Sequence, residues 1–136
     1  MFSLTEEYFS DWVDSYGQAW IDGDADAIAE LYAQDAEYYE TPYEDHFLGL
    51  EAIRKYWTQG AGISQKDVKF SYNVLAVMEN SGLAQFWASF LRIPSGNFVE
   101  LDGIILAEFN EGGKCHIFRE WWHRREMDKK GIGYEN

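Results

Sequence analysis

The chain has 136 residues, of which 46% are hydrophobic and 18% aromatic, and it contains one cysteine. This composition predicts a single folded domain with a sizeable core, and it excludes a disordered chain, an internal disulfide and a cysteine-rich metal cluster. The net charge is −13, and no lysine or arginine precedes Arg54. Because such a surface repels phosphate groups, we expect neither nucleic acid nor a membrane as partner. The simplest role of this negative charge is to keep the protein soluble, and the alternative is a preference for a cationic partner.

The sequence has no apolar run of 18 residues, and its first residues do not form the charged and then apolar pattern of an export signal. We therefore expect a cytoplasmic protein.

The first predicted element is a long helix. Apolar residues recur at helical spacing from Phe9 to Trp20. A capping box of Ser3 and Glu6 precedes this run, and Gly23 follows it as a natural stop.

Two shorter helices and a β-like piece follow. DADAIAELYA predicts a second helix, capped by Asp24 and with Tyr32 facing inward. Residues 37–40 are predicted to form a brief β-like piece that Thr41-Pro42 turns into a loop. LEAIRKYWTQG predicts a third helix, which its glycines would end at Gly60.

The second half of the chain changes to an alternating pattern that is typical of strands. Four runs, 67–79, 83–93, 98–109 and 114–125, are separated by NSG, PSGN and NEGG, all good turn formers. Short turns between long runs predict an antiparallel meander. Helices followed by such a sheet indicate an α+β domain with its helices on one sheet face.

This order of elements, with the segments WIDGDADAIAELYAQDAEYYETP, GLEAIRKYW and VELDGI, resembles the nuclear-transport-factor-2-like superfamily, and its SnoaL-like members most closely. The likeness covers residues 5–125. It implies a cystatin-like cone, in which three N-terminal helices pack on a strongly curved antiparallel sheet around a pocket. It also implies one domain over 1–136, with 1–4 and 127–136 as terminal tails. Members include isomerases, cyclases, hydrolases, dehydratases and proteins without chemistry, so the fold does not settle the function.

Alignment with the ketosteroid isomerases suggests two catalytic candidates. Tyr16 falls on the tyrosine that donates to the developing enolate oxygen, and Glu40 falls on the aspartate that acts as general base. Their protonated aspartate aligns with Ile105, so the steroid-isomerase oxyanion hole is incomplete here.

Alignment with the limonene-type epoxide hydrolases suggests a third candidate. Glu120 falls on a carboxylate that helps to activate the attacking water. Their arginine and aspartate align with Phe86 and Ala88, so the epoxide-opening machinery is also incomplete. SnoaL-like cyclases need a single pocket acid, and Glu120 is a candidate for that role.

Glu120 alternates with Phe118 and Trp122 on one face of the last strand, which both alignments turn toward the cone. Removal from water would raise the pKa of this carboxyl and suit it to proton transfer. The alternative is a structural ion pair with Arg92, Arg119 or Arg124. The residues expected to bind the ligand are Trp20, Tyr32, Tyr43, Phe47, Trp57, Phe86, Phe90, Phe118 and Trp122.

The opposite face of the sheet carries Trp87 and Trp121, which predict a homodimer through this outer surface. No metal or other cofactor is implied, because His46, His116 and His123 lack ligand spacing. The favoured hypothesis is a protein that binds a small, largely apolar molecule, with proton-transfer catalysis of the isomerase, cyclase or dehydratase kind as the next step. The rival hypothesis is a non-catalytic ligand-binding or dimerisation module of the same fold.

Overall fold

A computed structural model of the chain describes residues 2–40 and 43–128 together with the backbone of 133–135. The expected Thr41-Pro42 turn lies outside the described residues. The helices are α1 (Glu6–Asp22), α2 (Ala25–Ala29) and α3 (Leu50–Trp57), and α3 continues into a π-helical segment, Thr58–Ser64. The strands are β1 (Tyr32–Tyr39), β2 (Phe47–Leu48), β3 (Gln65–Met78), β4 (Ser81–Arg92), β5 (Phe98–Phe109), β6 (Cys115–Met127) and β7 (Gly133–Glu135). None of the helices in these described parts is both long and apolar enough to cross a bilayer.

Helix α1 lies where the apolar spacing predicts it, but its N-cap is Thr5 and not Ser3. The Thr5 hydroxyl accepts a hydrogen bond of 3.0 Å from the backbone N–H of Tyr8. Gly23 ends the helix in the left-handed conformation, with φ of 65°, as the sequence predicts. The residues ahead of the cap also pack, since Leu4 is buried and the ring of Phe2 contacts that of Tyr8.

The segment after α1 contains more strand than predicted. Helix α2 ends at Ala29, so Tyr32 begins β1 and does not lie on a helix. Its alternating partners Ala36 and Tyr38 are buried, which extends the strand well ahead of the predicted piece. Similarly, Gly60 does not end the third helix as predicted, because α3 continues into the wider turns of the π-helical segment.

The four predicted β runs form the antiparallel meander β3-β4-β5-β6, and the whole sheet has the order β2-β1-β6-β5-β4-β3, with β7 also pairing β6. One pairing departs from the expected antiparallel sheet. Strand β1 runs parallel to β6, with Tyr38 opposite Phe118. This long-range pairing makes β1 a strand of the same sheet and places it beside β6, the last long strand.

Aromatic rings fill the space between the helices and the inner face of the sheet. Phe118 is fully buried, and its ring stacks on that of Tyr38 with 4.7 Å between centroids. The rings of Tyr16 and Trp12 contact it from α1 at 5.5 and 6.0 Å. These contacts join α1, β1 and β6 in one core.

Candidate functional site

A cavity of about 250 Å³ lies between α1, the π-helical segment and the inner faces of β4, β5 and β6. Eight residues named from the sequence line it: Tyr16, Trp20, Glu40, Trp57, Phe86, Phe90, Glu120 and Trp122. The alternation of β6 therefore places Glu120 and Trp122 on the cavity side, as the sequence predicts.

Four of the predicted ligand-binding residues do not line this cavity. Tyr32 and Phe118 lie in the packed core, where their rings contact at 5.7 Å. Phe47 packs against the outer side of Tyr56, with 4.6 Å between ring centroids. Tyr43 is 96% exposed, because the loop that carries it turns its side chain to solvent.

Two lining tyrosines were missed as site residues by sequence reasoning, Tyr38 and Tyr56. The signal for Tyr38 was its alternation with Ala36, which a longer β1 would have revealed. Tyr56 lies one helical turn after the buried Ile53, so its inward position follows from the period of α3. The remaining lining residues are Gly60, Ala61, Gln65, Arg92, Val99, Leu101 and Arg124.

Glu120 is the one charged residue buried among the described residues, with 8% of its surface exposed. Burial among aromatic rings raises its pKa well above the ordinary value, and the nearby charge of Glu40 raises it further. Hydrogen bonds from Trp122 and Tyr16 to its carboxylate oppose this shift. The carboxyl therefore holds its proton at a pH where an exposed glutamate has lost it.

Two of the arginines proposed as partners of Glu120 pair with other carboxylates. Arg92 donates to Glu126 at 3.1 Å, and Arg119 donates to Glu108 at 2.7 Å. Arg124, the third arginine proposed, lines the same cavity as Glu120.

A second acid, Glu40, follows the end of β1 and lies half-buried at the cavity wall. Burial raises the pKa of Glu40, a hydrogen bond from Tyr56 lowers it, and the charge of Glu44 raises it. The charge of Glu40 disfavours ionisation of Glu120, so a state in which Glu120 keeps its proton is favoured over one with both carboxyls charged.

Buried hydroxyl and indole groups complete the polar part of the wall. Burial raises the pKa of Tyr16 well above its usual range, so the phenol stays protonated and can donate. The Tyr38 hydroxyl interacts with that of Tyr16, but among the described residues neither it nor Trp57 Nε1 has a well-aligned hydrogen-bond partner. The cavity is therefore an aromatic enclosure with a few convergent donors and two carboxyl groups whose pKa values are raised.

The outer face of the sheet carries the two tryptophans expected there. Trp87 and Trp121 are 36% and 44% exposed, and the Trp87 indole N–H donates to Asp102 at 3.1 Å. Alternation along β4 and β6 thus divides aromatic residues between the cavity and the outer surface.

Helices closing a curved sheet around such a cavity define a cone-shaped α+β protein of the nuclear-transport-factor-2-like class. The chain belongs to the SnoaL-like domain family, whose family model matches residues 13–116. A comparison with curated proteins gives no match.

Two solved structures share this fold. The epoxide hydrolase/cyclase-like enzyme SalBIII, described with a role in pyran ring formation in the polyether salinomycin, superposes with a TM-score of 0.75 at 21% identity, over 86% of this chain and 92% of that one. An NTF-2-like protein of unknown function from Burkholderia xenovorans LB400 superposes with a TM-score of 0.66 at 17% identity, over 86% and 84% of the two chains.

Proposed function

We propose that this protein binds a small, largely apolar molecule in the cone cavity and catalyses a proton transfer on it. Glu120 is the acid or base, Glu40 is its counterpart, and Tyr16 donates a hydrogen bond to an oxygen of the ligand. The observation that carries the proposal is the burial of Glu120 in an aromatic cavity, beside a second carboxyl, with its pKa raised. A buried carboxyl with a raised pKa keeps its proton at a higher pH than an exposed one, and it can exchange that proton with a bound ligand.

Ring closure fits this arrangement well. A protonated Glu120 can donate its proton to a ligand oxygen while an ionised Glu40 accepts a proton from the attacking group, so that the two carboxyls exchange protonation states over one turnover. The fold neighbour SalBIII, described as cyclase-like, supports a reaction of this kind. Isomerisation or dehydration would use the same two carboxyls.

The test is the pKa of Glu120, measured by carbon-detected NMR during a screen of small cyclic ketones, phenols and ethers. Glu120→Gln assigns the resonance. We expect a pKa well above the reference of ~4.3, which moves when a cavity-binding compound is added. In Tyr16→Phe, loss of the hydrogen bond to the carboxylate should raise this pKa further.

A pKa at or below the reference value that no compound moves would refute the catalytic proposal. Binding without any proton exchange into the bound compound in deuterated water would instead favour the non-catalytic ligand-binding module. The modest volume of the cavity restricts the screen to small compounds.

We also propose that two copies of the chain pair through the outer sheet face. The support is the exposure of Trp87 and Trp121 on a single curved surface, since large exposed aromatics usually mark an interface. In a two-fold contact each residue appears twice, so a single substitution acts at two places.

Trp87→Lys and Trp121→Lys should each weaken this dimer at least tenfold, because a buried lysine would lose its hydration. Sedimentation velocity over a range of protein concentrations measures the effect. Tyr43→Lys is the matched control, because Tyr43 is exposed and lies off the sheet, and it should sediment as the wild type does. A wild-type protein that stays monomeric at protein concentrations of tens of micromolar would contradict the proposed dimer.

A further inference from the structure

A second cavity, of about 420 Å³, meets the cone cavity at its carboxyl groups. Glu40, Glu120 and Trp122 line both cavities. The remaining lining residues of the second cavity belong to β4, β5 and β6 and include the outer-face side chains: Gln85, Asp102, Gly103, Ile104, Trp121 and His123. We call this second cavity the outer groove.

The outer groove reaches the carboxyls because β6 lacks a neighbour along part of one edge. Strand β1 pairs with β6 up to Arg119, and β7 pairs with it from Arg125. Between these points no described strand pairs with that edge. Glu120 lies at the start of this unpaired stretch, and Glu40 follows the end of β1 directly beside it.

We propose that Glu40 carries protons between solvent in the outer groove and the Glu120 carboxyl, by a route separate from the cone cavity that holds the ligand. This inference rests on the proposed proton-transfer function. A ligand that fills a cavity of about 250 Å³ excludes water from the cone side of Glu120. Water in the outer groove is then the remaining route by which a proton returns to Glu120 while the ligand is bound.

The step moves one proton and no electrons. An ionised Glu40 takes a proton from a hydronium ion in the groove, which becomes water, or from the attacking group of the ligand, and forms an O–H bond. That bond breaks as a new O–H bond forms on ionised Glu120, directly or through one water molecule, and Glu40 is ionised again. Glu40 and Glu120 both line the cone cavity and the outer groove, which places the two carboxyls at the junction of the two spaces.

The experiment measures the rate of proton exchange at Glu120 from the NMR line shape of its carboxyl carbon near the titration midpoint. Glu40→Gln removes the relay group but keeps its shape, and Ile104→Trp fills the groove. Glu30→Gln is the matched control, since it removes an exposed carboxylate that lines neither cavity.

We expect Glu40→Gln and Ile104→Trp to slow the exchange about tenfold, and Glu30→Gln to leave it within twofold. A slowing of less than threefold in Glu40→Gln, or an unchanged rate in Ile104→Trp, would overturn the route. Near-UV circular dichroism establishes that each variant is folded before its rate is compared.

Two further measurements distinguish the proton route from the catalytic proposal and from the proposed dimer. Slow exchange in Glu40→Gln without any ligand binding would support the route while defeating the catalytic proposal. Because Trp121 lines the groove and also belongs to the proposed dimer contact, the series is repeated with Trp87→Lys. The same order of rates is expected there, and a reversed order would overturn the route in the free subunit.

Discussion

Phe118→Ala should lower the free energy of unfolding by about 3–5 kcal/mol, the range found when a fully buried phenylalanine is removed from a core. Phe118 is completely buried and stacks on Tyr38 at 4.7 Å. Its ring also contacts Tyr16 and Trp12 of α1, so its loss opens a void between the helix and two strands. Chemical denaturation followed by tryptophan fluorescence and by circular dichroism measures the change.

Tyr43→Ala is the control for this prediction, because it removes an aromatic ring of similar size that is almost fully exposed. Its effect should lie within about 0.5 kcal/mol of zero. Equal losses in the two variants would contradict the described core and would place Tyr43 in it.

Glu120→Gln should change how stability depends on pH. The folded state binds the Glu120 proton more tightly than the unfolded state, because its pKa is raised. The contribution of Glu120 is therefore fully present below the unfolded pKa, and it is lost as the pH rises through the folded pKa, by up to about 1.4 kcal/mol per pH unit. Glutamine does not titrate, so the variant should gain stability relative to the wild type as the pH rises from 4 to 9.

Denaturation at each pH gives this difference curve. Glu30→Gln, which removes an exposed carboxylate, controls for the loss of one unit of the chain's large negative charge. Its curve should run parallel to that of the wild type. If Glu120→Gln also runs parallel, Glu120 is ionised in the folded protein and the proposed acid is lost.

Local chemistry explains how much of the fold was predictable from the sequence. The period of α1, its Gly23 stop and the turns between the four β runs are local signals, and each element lies where its signal places it. The parallel pairing of β1 with β6 has no local signal, because it joins residues far apart in sequence. The prediction of Ser3 as the N-cap of α1 was wrong for a local reason. Ser3 and Thr5 are both good capping residues and lie two positions apart, and packing of the first residues selects Thr5.

The candidate site divides along the same line. Strand alternation places Glu120 and Trp122 in the cavity, and helical spacing places Tyr16 and Trp57 there. Tyr43 has no periodic neighbours, so its direction depends on the path of a loop that sequence pattern does not determine. The outer groove could not be predicted, because it exists where two different strands stop pairing with β6.

The parallel contact between β1 and β6 also determines when the site can exist during synthesis. Tyr38 and Phe118 are separated by roughly eighty residues, which a ribosome adds in about 4–16 s at ~5–20 residues per second. Until β6 emerges, the aromatic face of α1 and β1 has no last strand to cover it, and Glu120 has not yet been made. The carboxyl proposed for the chemistry is thus enclosed by the same late event that completes the core, so a nascent chain lacks the candidate acid until β6 is made.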